Sequence, residues 1–591
     1  MNPVIRAQVK DYSKTNSLTA YPDDLRFEIY SIYSVLTGFL GEAVDAYDVH
    51  LLGTEFGLDG VAVLIQGEIV KNRAEAEEKL DAIKNPAIEF IFFQSKTSTS
   101  FDYGDISKFF DAIRGFFDGS LTGESDQLDD LMDAKDAIYE RPLGKRNPKV
   151  NAYYITTGNY EEPKRIENLI SSFKGELEEM NIFDQAGPYV SMIGAKQLQQ
   201  WYRAATSSVE KEIEFAKNVV MPTNNQVEEA YIGYLPATEL LKLYTINDIQ
   251  GNVTSINKAV FVDNIRDYDP NSKINKQIKG SVKAGTGGDF VFRNNGITVV
   301  AKNIDRTGDK FRLEDYQIVN GCQTSNIIFD LRYMSKDENG NLNGEGLVNE
   351  INVPFRLIGS RKDDFISSII VGTNRQNPVK EEQFWALRPF MKDLEEYSRS
   401  LDKEEVIYLE RRENQYRGQD VERVRIMQPS VMMKAIAATV LFQPHRAARD
   451  YRGIIAEYQS ALFLEDHDVR IYHAVCYLYY RLEFLWRNQR LDSSYKTFRY
   501  YILTGIGLRL TGGKDVFGLK KGKLHAICDS IIELAKDEDK LKSAIVKIVK
   551  VLEQRLSSQA LTSQEKVRDA MRSDTFSSWF RSSISGDGHT D

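Results

Sequence analysis

Two extended apolar runs, LDGVAVLI (58–65) and AIEFIFFQSK (87–96), flank a charged, helix-favouring stretch, KNRAEAEEKLDAIKN (71–85). Apolar β-type runs leave backbone donors and acceptors that only a sheet satisfies, so this part of the chain must build one. Residues 24–47 precede the runs, with apolar side chains at intervals of three and four, and read as an amphipathic helix that Gly38 and Gly41 can divide. GDISKFFDAIRGFFDG (104–119) follows as a second helix and KVNAYYITTG (149–158) as a further β-type run. The order helix, strands, helix, strand predicts an α/β unit. The stretches 162–180, 188–195 and 196–204 continue the mixed pattern, and the acidic ESDQLDDLMDAKD (124–136) reads as a solvated helix or insertion.

A chain of 591 residues is too long for one hydrophobic core and divides here into three domains, 1–205, 206–450 and 451–591. A polar break, MPTNNQ (221–226), lies near the first boundary. Strand and turn signals dominate 230–380, including GTGGD (285–289), which lacks the Lys-Ser/Thr of a phosphate-binding loop and reads as an ordinary loop. From about 381 the periodicity is helical, and YHAVCYLYYRLEFLW (472–486) is too uniformly apolar to be exposed. The last ten residues read as a frayed tail, and there is no internal repeat.

The net charge of −10 means that any nucleic-acid contact must come from local basic patches working against the global field. Three scattered cysteines and six histidines without ligand spacing argue against a structural zinc site and suit a reducing compartment. The first ten residues lack the apolar stretch of a signal peptide, and no segment holds about 20 apolar residues in a row. The expectation is a cytoplasmic protein with no membrane partner.

The chemistry concentrates in LDG (58–60) and QSK (94–96), at or near the ends of the two β-type runs, after a helix bearing Phe27-Glu28. Side chains two apart on a strand share a face, so Gln94 and Lys96 are neighbours, while Ser95 and Glu89 point the other way. Asp59 can supply a charged oxygen ligand and Gln94 a neutral one, which suits magnesium, and Lys96 a cation beside an attacking water or a scissile phosphate.

Residues 24–118 resemble the restriction-endonuclease-like superfamily, nearest its Mrr-like branch, through Phe27-Glu28, Asp59-Gly60 and Gln94-Ser95-Lys96. The resemblance implies a PD-(D/E)xK nuclease with an αβββαβ core, dependence on Mg2+ (or Mn2+) and DNA cleavage. The acid-rich glycine motif usual ahead of the second strand is reduced here to Glu55-Phe56-Gly57-Leu58-Asp59. The further upstream carboxylate then falls to Glu28, Glu42 or Glu55, with Glu28 favoured because the first helix of this fold usually packs beside the site.

In the middle of the chain, FRNNGIT (292–298) and QIVNGCQT (317–324) each set Asn-Gly beside β-type residues, a hairpin or tight-turn signal. Together with TNRQNPV (373–379) and LERRENQYR (409–417), they resemble the abortive infection phage-resistance (AIPR) family over roughly 230–450, whose members often carry an N-terminal nuclease-type domain. Asn294, Asn295, Asn320, Gln323, Thr324 and Asn374 form a candidate polar site, able to bind a nucleotide, a base edge or phosphate and equally able to satisfy a buried turn.

Residues 408–452 carry an excess of positive charge. Arg411, Arg412, Arg417, Arg423 and Arg425, with Tyr408, Tyr416 and Tyr451 to stack on bases, are the candidate nucleic-acid track; solvated helix faces are the plainer reading. The fold expected is an α/β restriction-endonuclease-like domain, a mixed α+β central domain and a mostly helical C-terminal region. The function expected is an Mg-dependent endonuclease of antiphage defence, acting on DNA before RNA, answering a phage-derived trigger and paired as a homodimer so that two sites cut two strands. The competing readings are an inactive nucleic-acid or partner platform and a sensor whose central domain binds a nucleotide.

Overall fold

The computed structural model describes residues 2–41, 43–52, 57–82, 86–142, 148–183, 187–206, 209–247, 253–257, 260–261, 280, 287–333, 344–362, 365–366, 368–369, 388–411, 415–416, 419–449, 451–458, 461–558, 567 and 570–586. The N-terminal unit holds α1 (Pro3–Thr15), α2 (Asp23–Leu40), β1 (Gly60–Ile65), β2 (Glu68–Val70), α3 (Arg73–Ala82), β3 (Ile88–Lys96), α4 (Tyr103–Asp118), α5 (Asp126–Tyr139), β4 (Pro148–Thr156), α6 (Lys164–Glu179), β5 (Tyr189–Ile193) and α7 (Ala195–Thr206). The strands form one sheet in the order β2-β1-β3-β4-β5. β1 runs antiparallel to β2 and β3, while β3, β4 and β5 are mutually parallel.

Both faces of this sheet are covered, which is why its strands read as nearly continuous apolar runs. Ala62, Leu64, Ile91, Phe93 and Ile155 pack against α1, α2 and α7. Val61, Val63, Phe90, Phe92, Ala152 and Tyr154 pack against α3 to α6. The helix expected over 24–47 stops at Leu40, where Gly41 takes φ +78° and its N–H closes on the Thr37 carbonyl. The acidic stretch expected to be solvated is instead amphipathic: α5 buries Leu128, Leu131 and Met132. Its buried Lys135 amine donates to the carbonyls of Phe116 and Phe117 at 3.1 and 3.3 Å.

The central sheet contains β6 (Glu210–Glu214), β7 (Asn218–Val220), β8 (Glu229–Pro236), β11 (Ile297–Thr307), β12 (Lys310–Asn320) and β13 (Asn352–Gly359), in the order β6-β12-β11-β13-β8-β7; β9 (Thr245–Asn247) and β10 (Val253–Ile256) make a separate ribbon. α8 (Ala237–Tyr244) and α9 (Cys322–Tyr333) cover one face. The polar break at 221–226 lies between β7 and β8, inside this sheet, because β6 already pairs with β12. The hairpin joining β11 to β12 turns at Gly308, not at either Asn-Gly. Asn295-Gly296 leads into β11, and Asn320-Gly321 passes from β12 into α9.

The C-terminal region is helical, with α10 (Pro389–Arg399), α11 (Pro429–Thr439), α12 (Val469–Arg487), α13 (Arg499–Thr511), α14 (Lys521–Lys536) and α15 (Glu538–Ser558) among its helices. One core runs from Phe390 to Ile584, so the boundary expected at 450 falls inside a continuous packing unit. The aromatic stretch expected to be buried is α12, which buries Tyr472, Tyr477, Tyr480 and Trp486. Among the described residues, no helix is long and apolar enough to cross a membrane.

The helical region docks on the N-terminal unit through charge. Arg487, near the end of α12, pairs with Asp45, and its guanidinium lies 5.0 Å from the Tyr47 ring centroid. Lys496 sits 3.9 Å over the same ring. The Tyr21 hydroxyl donates to the Trp486 carbonyl at 3.4 Å. Burial alone would raise Asp48, but Lys71, Arg499 and Lys496 hold its carboxyl well below the usual carboxylate range.

Candidate active site

Because β1 and β3 are antiparallel, the start of one meets the end of the other, and Gly60 pairs with Phe93. Asp59, one residue before β1, is pinned by its backbone: its N–H donates to the Phe93 carbonyl and its carbonyl accepts from Leu51, both at 2.8 Å. Its side chain then reaches the end of β3. Gln94 Nε2 donates to Asp59 Oδ1 at 2.9 Å, and the Ser95 backbone N–H donates to Oδ2. Glu28 enters from α2, one residue after the buried Phe27. Its Oε2 lies 2.7 Å from Nε2 of His50, whose residue bridges to Gly60.

Burial and the nearby Glu28 carboxylate push Asp59 well above the usual carboxylate range, against the lowering pull of the Ser95 N–H, the Lys96 cation and the Gln94 amide. Glu28, Asp59, Gln94 and Lys96 therefore meet at one end of the sheet. The expected parity holds for β3: Phe90 and Phe92 enter one core, Ile91 and Phe93 the other. Glu89 lies away from Gln94, accepting from Asn151 at 3.3 Å. Glu42 and Glu55, the other carboxylate candidates, lie outside the described residues.

Sequence reasoning missed His50 and the Ser95 N–H. His50 pairs with Glu28 across 22 positions, a contact that no local periodicity encodes. The Ser95 contribution comes from the backbone, so the residue type carries no signal.

An oxygen-rich set of two carboxylates and an amide suits a hard divalent cation. The buried Gln94 Oε1 has no hydrogen-bond partner among the described residues, and a carbonyl oxygen in that state is fitted to coordinate. Asp59, Glu28 and Gln94 would hold the ion. Among the described residues, no group of three or more His, Cys, Asp or Glu is arranged to bind a metal.

In the central domain the two Asn-Gly turns are adjacent. A Cβ on Gly321 would lie 2.4 Å from Ile297 Cγ1 and 3.1 Å from the Gly296 carbonyl oxygen. Asn294 Oδ1 accepts the Gly296 N–H at 2.8 Å, and its Nδ2 donates to Thr324 Oγ1 at 3.0 Å. These two side chains satisfy each other and the turn. Asn295 and Gln323 are exposed, and Asn320 is partly exposed. Asn374 and its motif lie outside the described residues.

Gly296 has φ +83°, and a Cβ there would meet the Pro354 carbonyl oxygen at 2.5 Å, whereas Gly308, at φ +65°, has nothing within 4 Å. Gly308→Ala should cost about 1–2 kcal/mol, from backbone conformation alone. Gly296→Ala should cost at least about 3 kcal/mol, because two backbones must also separate. Urea denaturation of both variants checks the difference, and equal midpoints would contradict the close approach.

The arginines expected to form a solvent-facing track are used internally at the described positions. Arg411 Nε lies 2.6 Å from Glu395 Oε2, with both side chains about nine-tenths buried. Arg425 pairs with Glu422 at 2.9 Å, donates to the carbonyls of Lys403, Glu404 and Val406, and lies 4.6 Å from the Tyr480 ring centroid. Arg423 donates to the Tyr33 hydroxyl at 3.4 Å. Tyr416 is buried, its hydroxyl donating to the Leu409 carbonyl at 3.0 Å. The buried Glu395 carboxylate and the carbonyls of Lys403, Glu404 and Val406 engage Arg411 and Arg425 within the fold. Arg412 and Arg417 lie outside the described residues.

The molecule is thus a multidomain α/β protein: a mixed sheet with an acid–amide–amine cluster at one end, a central α+β unit and a helical region packed on the N-terminal unit. A family model described as AIPR protein matches residues 261–560, just over half of the chain. The chain belongs to the AIPR family, and membership points to a role in antiphage defence by abortive infection. The matched span leaves the N-terminal sheet outside it. No curated protein and no solved structure matches the chain.

Proposed function

We propose that this AIPR protein is a divalent-metal-dependent nuclease of antiphage defence, acting on DNA, whose active site is the Glu28, Asp59, Gln94 and Lys96 cluster. The observation that carries the reading is the gathering of those four residues at one sheet end. Hydrolysis adds water across a phosphodiester: the water oxygen bonds to phosphorus, one P–O ester bond breaks, and the departing alkoxide takes up a proton. Mg2+ or Mn2+ held by Asp59, Glu28 and Gln94 would supply Lewis-acid stabilisation of phosphate charge and ease deprotonation of the attacking water.

Asp59 is held in place by four hydrogen bonds, two to its backbone and two to its carboxyl, before any substrate arrives, so its orientation carries little reorganisation cost. His50 orients Glu28. The Lys96 cation favours the charged form of Asp59 and would supply positive charge to a phosphate oxygen or the attacking water. Two copies of the chain would bring two such sites to the two strands of a duplex.

Purified protein incubated with plasmid, linear single-stranded DNA and RNA, with Mg2+, with Mn2+ and with EDTA, tests the assignment. Metal-dependent cleavage of the DNA substrates is expected. Absence of cleavage on every substrate with both metals would overturn it and leave the nucleic-acid platform as the better reading.

A further inference from the structure

Tyr154 lies on β4 directly beside Gln94, its register partner on the parallel β3. The two side chains share the sheet face packed by α3 to α6, where the Tyr154 ring lies 6.1 Å from Phe101 and 6.0 Å from Phe109. The phenol oxygen is buried and has no hydrogen-bond partner among the described residues. Other buried tyrosines of this domain do pair: Tyr21 with Tyr47 at 2.9 Å, and Tyr30 with Gln8 at 2.8 Å. A core that needed only the ring would be better served by Phe, since a buried hydroxyl without a partner is a net cost. An unpartnered donor, Tyr154 Oη, and an unpartnered acceptor, Gln94 Oε1, thus occur on adjacent residues at the candidate site.

Resting on the nuclease reading above, we propose that the Tyr154 hydroxyl donates a hydrogen bond to a non-bridging oxygen of the substrate phosphate during cleavage. Its surroundings suit a neutral donor. A phenol holds its proton at any pH near neutrality, and the Phe101 and Phe109 rings packed around Tyr154 favour the neutral form. A donor with no ground-state partner has no bond to give up when phosphate charge develops, so its interaction adds to stabilisation of the transition state.

Tyr154→Phe removes the donor and leaves the ring. Cleavage of a short duplex with Mg2+ should fall roughly 10- to 100-fold, the range for one hydrogen bond to a charged group. The metal-free variant should melt at or above the wild-type temperature, because no bond is lost. With Mn2+, which accepts sulfur and so relieves the metal's own preference for oxygen, wild type should still slow on one phosphorothioate diastereomer placed at the mapped cleavage position, and Tyr154→Phe should lose that discrimination. A variant that cleaves at the wild-type rate, keeps the sulfur discrimination, or melts lower without metal would overturn the role of Tyr154. Those outcomes leave the nuclease reading intact as long as wild type cleaves and Lys96→Ala does not. Failure of wild type to cleave, or full cleavage by Lys96→Ala, would overturn both.

Discussion

Replacing Lys96 by Ala is expected to lower metal-dependent DNA cleavage by roughly 10²–10³-fold, the effect of removing one preorganised charge partner from a phosphoryl-type transition state. Stability should change by less than about 0.5 kcal/mol, because Lys96 ends its strand partly exposed and outside the packed cores. Asp59→Ala should abolish cleavage too, with a different stability signature. It leaves the Ser95 N–H and the Gln94 amide without their acceptor, a cost of about 1–3 kcal/mol. Part of that cost is offset because Asp59 and Glu28 no longer repel. A cleavage time course paired with urea denaturation of both variants separates chemistry from folding. Full cleavage by well-folded Asp59→Ala protein would remove the site.

The second large effect lies at the junction of the helical region with the N-terminal unit. Arg487 is 5% exposed and pairs with Asp45, with Glu483 also in its field. Arg487→Met should destabilise the docked state by about 1–3 kcal/mol, because the buried Glu483 loses a nearby cation while Asp45, about half exposed, is screened by water. Asp45→Asn in the same chain should recover part of the loss, since the two groups are coupled. Hydrogen exchange should show the change as faster exchange at residues 45–51 and 483–499, with the sheet amides of β3 and β4 protected as before. Strictly additive single and double variants would mean that the pair does not hold the junction. The segment that loosens carries His50, so the exchange result also reports how firmly Glu28 is held.

Much of the site was legible because it lies on regular elements. Strand parity places Gln94 with Lys96 and turns Glu89 away, a consequence of the period of two that any paired strand obeys. The position of Asp59 at the head of an apolar run sets it beside the end of the neighbouring antiparallel strand. His50 was not legible, since its contact with Glu28 joins a loop to a helix. The partners of Arg411 and Arg425 were not legible for a related reason. Composition records that Arg411 and Arg425 are cationic, while their orientation depends on Glu395, Glu422 and carbonyls brought in by folding.

By itself the sequence determined the helical and strand periods, the apolar runs that had to be buried on two faces, and the Asn-Gly positions where a positive φ was needed. Those are local matters of side-chain period and backbone sterics. Tertiary structure alone decided that residues from Phe390 to Ile584 share one core and that Arg487 reaches Asp45. It also set Tyr154 beside Gln94 with both polar atoms unpartnered. Each of these depends on which distant surfaces exclude water together, and burial and electrostatic pairing between distant segments have no local period to be read.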